Sequence, residues 1–265
     1  MVGQALLIKS DIETRRATNQ FGIIVWQYNE IWPTGGWGSI EYGTVTHTKG
    51  QVLGGRWKPL HYWYRKTIYA DVMATCGSGG SSGIMCYVKN DSPHPFTGSV
   101  DISSVKFATG QVASLQKLNL NMAAGAGTIK FFELKTDAIN GTVEARAFAA
   151  DMTGSMLQIK VANADGKVLC DNPVIFAEPK NLTLPNATVT FSVGAANTDG
   201  SVPIELTSDK FALYVTLTTL AQGRFDDNAF VMLPGKKTIK FFPFDGFELS
   251  ELKSTLRVEH TATYM

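Results

Sequence analysis

The 265 residues predict a mainly β fold: two tandem immunoglobulin-like β-sandwiches preceded by a short α/β segment. Three observations predict it. Charged residues are only 18% of the chain while glycine, serine and threonine are plentiful, a balance suited to strands joined by many turns. Runs with period-two alternation fill the chain beyond Asp71. The pentapeptide TIKFF occurs twice, starting at Thr128 and Thr238, and this 110-residue spacing is close to the ~100 residues of one such sandwich. Chance recurrence of common β-formers is the alternative reading. Five identical residues within GAGTIKFFELK and GKKTIKFFPFD favour a repeat. The length itself exceeds a typical domain of about 100–150 residues and implies two or three.

The first zone, residues 1–70, has helix, strand and helix character. Ala5, Ile8 and Ile12 recur at helical spacing, so QALLIKSDIETRRATNQ predicts one amphipathic helix ending near Phe21. FGIIVW, Phe21 to Trp26, predicts a short strand buried on both faces, as in a parallel sheet. A long glycine-rich loop follows to Gly55. In RWKPLHYWYRKTIYADV, Pro59 suits a first helical turn, with Leu60, Trp63, Tyr64 and Ile68 on one side. Helix, buried strand, loop and helix make one repeat of an α/β barrel or of an open α/β sheet. One such repeat cannot close a barrel. Its apolar faces are therefore expected to dock on the first sandwich, to lie exposed, or to associate with another chain.

In the second zone, 71–178, composition shifts to GSGGSSG, Gly77 to Gly83. IMCYVKN, SVDISSVKF and TVEARAFAA each predict a strand. The third zone, 179–265, follows the boundary AEPKNLTLPNA, and TVTFSV, FALYVTLTTL, AFVMLP and TLRVEHT predict its strands. No strong helix is expected beyond residue 71; SLQKLNLNMAAG and ELSELK carry at most short helical turns.

Composition narrows the function classes. A net charge of +1 provides no basic patch for nucleic acid, and no apolar run reaches the 18 residues of a membrane span. The N-terminal MVGQALLIKSDIETRR does not read as a signal peptide, because its apolar core is short and charges follow at once. The three cysteines lack CxxC spacing, so zinc and redox motifs gain no support. Cys76 and Cys86 are spaced for a disulfide across a hairpin, with free buried cysteine as the alternative. N-x-S/T acceptor patterns at Asn90, Asn140, Asn181 and Asn186 lean towards a secretory route, the Asn90 pattern being weakened by Pro93.

The chemistry concentrates after FGIIVW. Trp26 would stand at a strand's C-terminal end, where barrels place their sites. Indole faces pack on the C–H faces of sugar rings, Gln27, Asn29 and Glu30 can hydrogen-bond hydroxyls, and the glycines let the loop fold tightly. Trp26, Asn29 and Trp37 are the candidate substrate-binding residues; packing is the alternative role for Trp26, Trp32 and Trp37. The same loop carries the acids Glu30 and Glu41. Glu30 is read as a hydrogen-bonding or salt-bridge residue at the barrel rim, and Glu41 as paired with Arg56 or Lys58. His61 is expected to be packed and hydrogen-bonded. His47, His61, His94 and His260 are scattered, so neither a metal centre nor a cofactor is predicted. The acidic turn Gly223 to Asn228 lacks calcium-ligand spacing and is read as a structural turn holding an Arg–Asp pair.

VWQYNEIWPTGGWGSIEYG followed by GRWKPLHYWYRK resembles the end of the catalytic barrel of β-mannosidases in glycoside hydrolase family 2. The matching positions are Trp26, Gln27, Asn29, Glu30, Trp37, Ser39 to Tyr42, Trp57, Lys58 and Leu60 to Tyr62. GRFDDNAFVMLPGKKTIKFFPFD resembles that family's last β-sandwich, while the likeness is weak over 84–165. TVTHTKGQVLG departs from the family as an insertion relative to animal members. The resemblance implies that residues 1–70 are the last helix–strand–helix of a (β/α)8 barrel. It also implies a full protein that hydrolyses terminal β-linked mannose with retention, in a lysosomal or secreted setting. Retention needs two carboxyl groups about 5 Å apart. Neither of the family's two catalytic motifs precedes the final strand here, so no catalytic residue is assigned and this chain alone is expected to be inactive. The implied partner is a β-mannoside glycan, reached through the complete barrel. The alternative is a non-enzymatic tandem β-sandwich module that binds glycan or protein.

Overall fold

The computed structural model describes residues 1–33, 36–45, 52–78, 83–135 and 142–265. Most of the GSGGSSG run, His47 and Asn140 lie outside the described residues. In chain order, helix α1 (Val2–Ala17) is followed by the short pair β1 (Gly43–Val45) and β2 (Val52–Gly54). Helix α2 (Pro59–Trp63) runs on into a π-helical turn, Tyr64–Ile68. Strands β3 (Val72–Ser78), β4 (Ile84–Asn90), β5 (Phe96–Lys106), β6 (Val112–Met122) and β7 (Thr128–Leu134) follow. After them come helix α3 (Val143–Ala150), β8 (Ser155–Asn163) and β9 (Val168–Val174). The remaining elements are β10 (Val189–Val193), β11 (Val202–Ser208), β12 (Ala212–Thr218), β13 (Gly223–Phe225), β14 (Phe230–Met232), β15 (Gly235–Pro243), α4 (Leu249–Thr255) and β16 (Arg257–Glu259).

These elements form two compact units. One joins Leu7–Ile23 with Trp63–Thr183; the other joins Met1–Leu6, Ile24–Tyr62 and Leu184–Met265. In the first unit, sheets ordered β3-β4-β7 and β6-β5-β8-β9 are antiparallel throughout. Their inward residues, among them Ala74, Val88, Val100, Ile102, Leu157 and Ile159, build one apolar core. Cys76 and Cys86 stand opposite each other in the β3–β4 register and form a disulfide. Cys170 is a free, fully buried thiol whose pKa burial pushes up to about 12, so it stays protonated and inert at neutral pH.

Helix α1 contributes charged side chains to this unit. Arg16 donates to Asp91 (2.7 Å) and to the carbonyls of Ile68 (2.5 Å) and Ala70 (2.9 Å). Glu13 is buried yet saturated with partners: Lys9 (3.0 Å), Thr75 (2.7 Å) and Asn172 (3.0 Å) all donate to it. A buried carboxylate is tolerable only when paired and hydrogen-bonded in this way.

In the second unit, sheets ordered β10-β11-β15-β13 and β14-β12-β16 carry the core. Val202, Ile204 and Leu206 alternate inward along β11, facing the same side as Ile239 and Phe241 of β15 in the ladder.

Both TIKFF copies occupy equivalent strands. β7 and β15 each lie antiparallel to the second strand of their sandwich, in the orders β3-β4-β7 and β10-β11-β15. The repeat is therefore topological as well as sequential.

Two expected strands are corrected. TVEARAFAA is a helix over Val143–Ala150. Thr142 caps it by accepting from the Ala145 N–H (3.2 Å), Glu144 sits in its first turn, and alanine dominates its body. Alternating alanines mimic strand periodicity without supplying strand side chains. FGIIVW is the second case: it joins no sheet, and Phe21, Ile24 and Trp26 are exposed. A strand is stabilised by neighbours, and among the described residues none pairs with this segment. Ahead of β1, its sequel carries isolated bridges, Asn29 to Ile40 in parallel and Ile40 to Trp57 antiparallel. SLQKLNLNM is strand β6, and ELSELK lies largely in helix α4.

Candidate functional site

The loop from Tyr28 to Lys58 is tied by its own backbone. Glu30 N–H donates to Ile40 O, Ser39 N–H to Tyr28 O, Glu41 N–H to Arg56 O and Lys58 N–H to Ser39 O, each at 2.9 Å. Gly38 lets two passes of the loop meet: a Cβ there would lie 2.6 Å from the Asn29 carbonyl carbon and the Glu30 nitrogen. The close fold expected from the glycines is realised at this crossing.

Ion pairs then set the charge. Glu30 is buried and paired with the equally buried Lys58 Nζ. Glu41 Oε2 accepts from Arg56 Nε at 2.6 Å, and Arg56 Nη1 donates to Thr219 O at 2.6 Å. Both acids thus hold the ion-paired role expected of them. His61 Nδ1 lies 3.0 Å from Ser39 Oγ, and that hydroxyl donates to Tyr28 O at 2.7 Å, which leaves Nδ1–H as the donor to Ser39. The imidazole packs against Trp57, ring centroids 4.3 Å apart, and burial lowers its pKa. A packed, hydrogen-bonded histidine is what the sequence predicted.

Other contacts fasten this loop within its unit. Gly54 N–H donates to Gln222 Oε1 (3.1 Å), Phe225 N–H to Tyr62 Oη (3.1 Å), and the Arg224 guanidinium lies 4.8 Å over the Trp57 ring. The turn Gly223 to Asn228 is structural. Asn228 bonds both the N–H and the carbonyl of Leu217, and Lys240 N–H donates to Asp226 Oδ1 at 3.0 Å. No cluster of three or more metal-ligating side chains occurs among the described residues.

A cleft of about 590 Å³ opens over the loop, lined by Gln4, Glu30, Trp37, Glu41, Arg56 and Lys58 with their neighbours. It combines an exposed indole with two carboxylate–cation pairs, groups suited to C–H faces and hydroxyls together. Of the three predicted site residues, the structure places Trp37 in this lining. Trp26 is 76% exposed, joined to Gln27 by a cis peptide bond, and Asn29 donates to Glu30 O at 3.1 Å; neither lines the cleft. Gln4 was not legible as a site residue, because nothing in its local spacing links a helix position to a loop over thirty residues on.

This unit joins an immunoglobulin-like sandwich to an aromatic, ion-paired loop. Residues 184–263 match the family of mannosidase Ig-fold domains. The chain is similar over nearly all its length to the C-terminal part of β-mannosidases of glycoside hydrolase family 2. β-Mannosidase A of Aspergillus niger is 26% identical over 259 residues, covering 90% of this chain and 25% of that relative. β-Mannosidase of Capra hircus is 23% identical, covering 98% and 29%. Among solved structures, the β-D-mannosidase from Dictyoglomus thermophilum shares the fold with a TM-score of 0.68 at 22% identity, over 98% of this chain and 29% of that one. The exo-chitosanase CsxA of Amycolatopsis orientalis gives 0.60 at 14%, over 98% and 33%. The chain spans about a quarter of the length of the curated relatives it matches.

Proposed function

We propose that this chain is the C-terminal portion of a β-mannosidase-like retaining exoglycosidase acting on terminal β-linked mannose. In this reading residues 1–70 are the end of a (β/α)8 barrel, and 71–178 and 179–265 are immunoglobulin-like sandwiches. Trp26, Asn29 and Trp37 contact the sugar. The observation that carries the reading is the Trp37 cleft, built by the same stretch whose residues resemble the β-mannosidase barrel end.

Glu30 and Glu41 do not serve as the catalytic pair. Each is held in an ion pair, Glu30 is buried, and a glycosidase carboxylate needs access to the glycosidic oxygen or the anomeric carbon. The displacement then draws on carboxylates carried elsewhere in the full protein. It calls for no cofactor, metal, nucleic acid or membrane. A secreted or lysosomal home is supported by the Cys76–Cys86 disulfide, since such bonds persist in oxidising compartments.

The test is kinetic. The purified chain incubated with an aryl β-mannoside should show no turnover above buffer. In the full-length protein, Trp26→Ala and Trp37→Ala should each lower kcat/KM by about ten- to a hundredfold, as expected for a lost stacking contact of ~1.4–2.7 kcal/mol. Turnover by the chain alone sinks the claim that it lacks the catalytic pair. A full-length protein that binds mannosides without hydrolysing them identifies a non-enzymatic binding module instead.

A further inference from the structure

We propose that Asn181 and Asn186 each carry an N-linked oligosaccharide and that Asn90 carries none. All three stand in acceptor patterns, Asn181-Leu-Thr183, Asn186-Ala-Thr188 and Asn90-Asp-Ser92. The fold separates them.

Asn90 is fully buried. Its Nδ2 donates to the carbonyls of His94 and Ala123, both at 2.9 Å, and its Oδ1 accepts from Ser92 N–H at 3.1 Å. A glycan on that nitrogen would remove a donor hydrogen that these two carbonyls use and would force a hydrated chain into a position where the side chain is fully buried. Pro93 directly after the pattern opposes modification there as well.

Asn181 and Asn186 present the opposite surroundings. Asn181 closes the short 3-10 turn Pro179–Asn181 and is exposed, as are Lys180 and Thr183 around it. Asn186 is exposed ahead of β10; the hydrogen bond it receives, from Lys210 Nζ at 3.0 Å, goes to its backbone carbonyl and leaves the side-chain amide out of the contact. Thr188 is exposed too. A bulky, hydrated substituent fits both positions at no cost in burial. The Cys76–Cys86 disulfide independently points to the oxidising route on which this chemistry occurs.

In the transfer, Asn Nδ2 attacks C1 of the reducing-end sugar of a lipid-pyrophosphate-linked oligosaccharide. The N–C1 bond forms as the C1–O bond to pyrophosphate breaks, the lipid pyrophosphate leaves, and the displaced amide proton passes to solvent.

Protein purified from its native source should be treated with peptide N-glycosidase in heavy-oxygen water, which converts each glycosylated asparagine to labelled aspartate. Mass spectrometry should find the label at Asn181 and at Asn186, and unlabelled asparagine at Asn90. Absence of label at either of the first two overturns the assignment for that residue, and label at Asn90 overturns the burial argument. In the native host, N181Q and N186Q should each increase gel mobility by one glycan step and N90Q should not. The outcome is independent of any hydrolytic activity, so loss of the glycosidase reading would leave it standing.

Discussion

Glu30 and Lys58 are 28 positions apart in the chain, yet each is the other's buried counter-ion. Removing one partner strands the other charge in a low-dielectric setting. Glu30→Gln should therefore destabilise its unit by about 3–5 kcal/mol, whereas Glu30→Leu combined with Lys58→Met should recover most of that loss. Urea unfolding followed by tryptophan fluorescence reads this unit well, because Trp26, Trp32, Trp37 and Trp57 all belong to it. Equal losses in the single and double variants would show that the pair is solvated and not buried.

His61 adds a pH dependence of definite sign. Burial lowers its folded-state pKa below the ordinary value of about 6.5, so the unfolded chain binds more protons as the pH falls through that window. The stability due to neutral His61 is complete above about pH 6.5, declines as pH falls towards the folded value, and levels off below it. Melting temperatures between about pH 7.5 and 5 should fall more steeply for the natural chain than for His61→Gln. Parallel curves would refute the assignment.

At the scale of elements, the two TIKFF strands show how identical residues take different burdens. Ile239 in β15 is 1% exposed, while its counterpart Ile129 in β7 is 40% exposed. The β4–β7 ladder shifts register at Cys86/Tyr87, pairing Cys86 with Phe132 and Tyr87 with Lys130, so Phe131 falls between partners and both phenylalanines are buried. β15 runs without a shift beside β11, burying Ile239 and Phe241 by plain alternation. Ile239→Ala should cost about 2–5 kcal/mol by leaving a cavity, and Ile129→Ala about 1 kcal/mol or less. Thermal unfolding by circular dichroism checks the contrast; similar losses would remove the bulge from the explanation.

At the scale of the molecule, the segment after α1 leaves its apolar side chains in water. Ile24, Trp26, Tyr28, Ile31, Trp32 and Trp37 are each more than half exposed. Clustered exposure of this kind marks association surfaces. The isolated chain should associate with rising concentration in sedimentation velocity, and the variant carrying Ile24→Ser, Trp26→Ser and Trp32→Ser should remain monomeric. A natural chain that sediments as a monomer across the accessible range would refute this.

Local signals carried much of the molecule. Apolar spacing identified α1, Pro59 identified the start of α2, and alternation identified β4, β5, β10, β12, β14 and β16, because each of those patterns is written within one element. The repeat of TIKFF exposed the tandem organisation, and the spacing of Cys76 and Cys86 admitted the bond they form. The run TVEARAFAA misled because its capping threonine and alanine content outweigh an alternation of small side chains. FGIIVW misled for a different reason: a strand exists only with partners, and partners are a property of the fold and not of six residues. Within the site, the residue types Trp37, Glu30, Glu41 and His61 were legible, and so were the roles of the two acids. Which cation meets Glu30, how Gln4 and Arg56 come to share a cleft with Trp37, and which acceptor asparagines are buried were decided by tertiary structure alone. Those contacts join residues tens of positions apart, and no period or local propensity encodes a distance that only the folded chain creates.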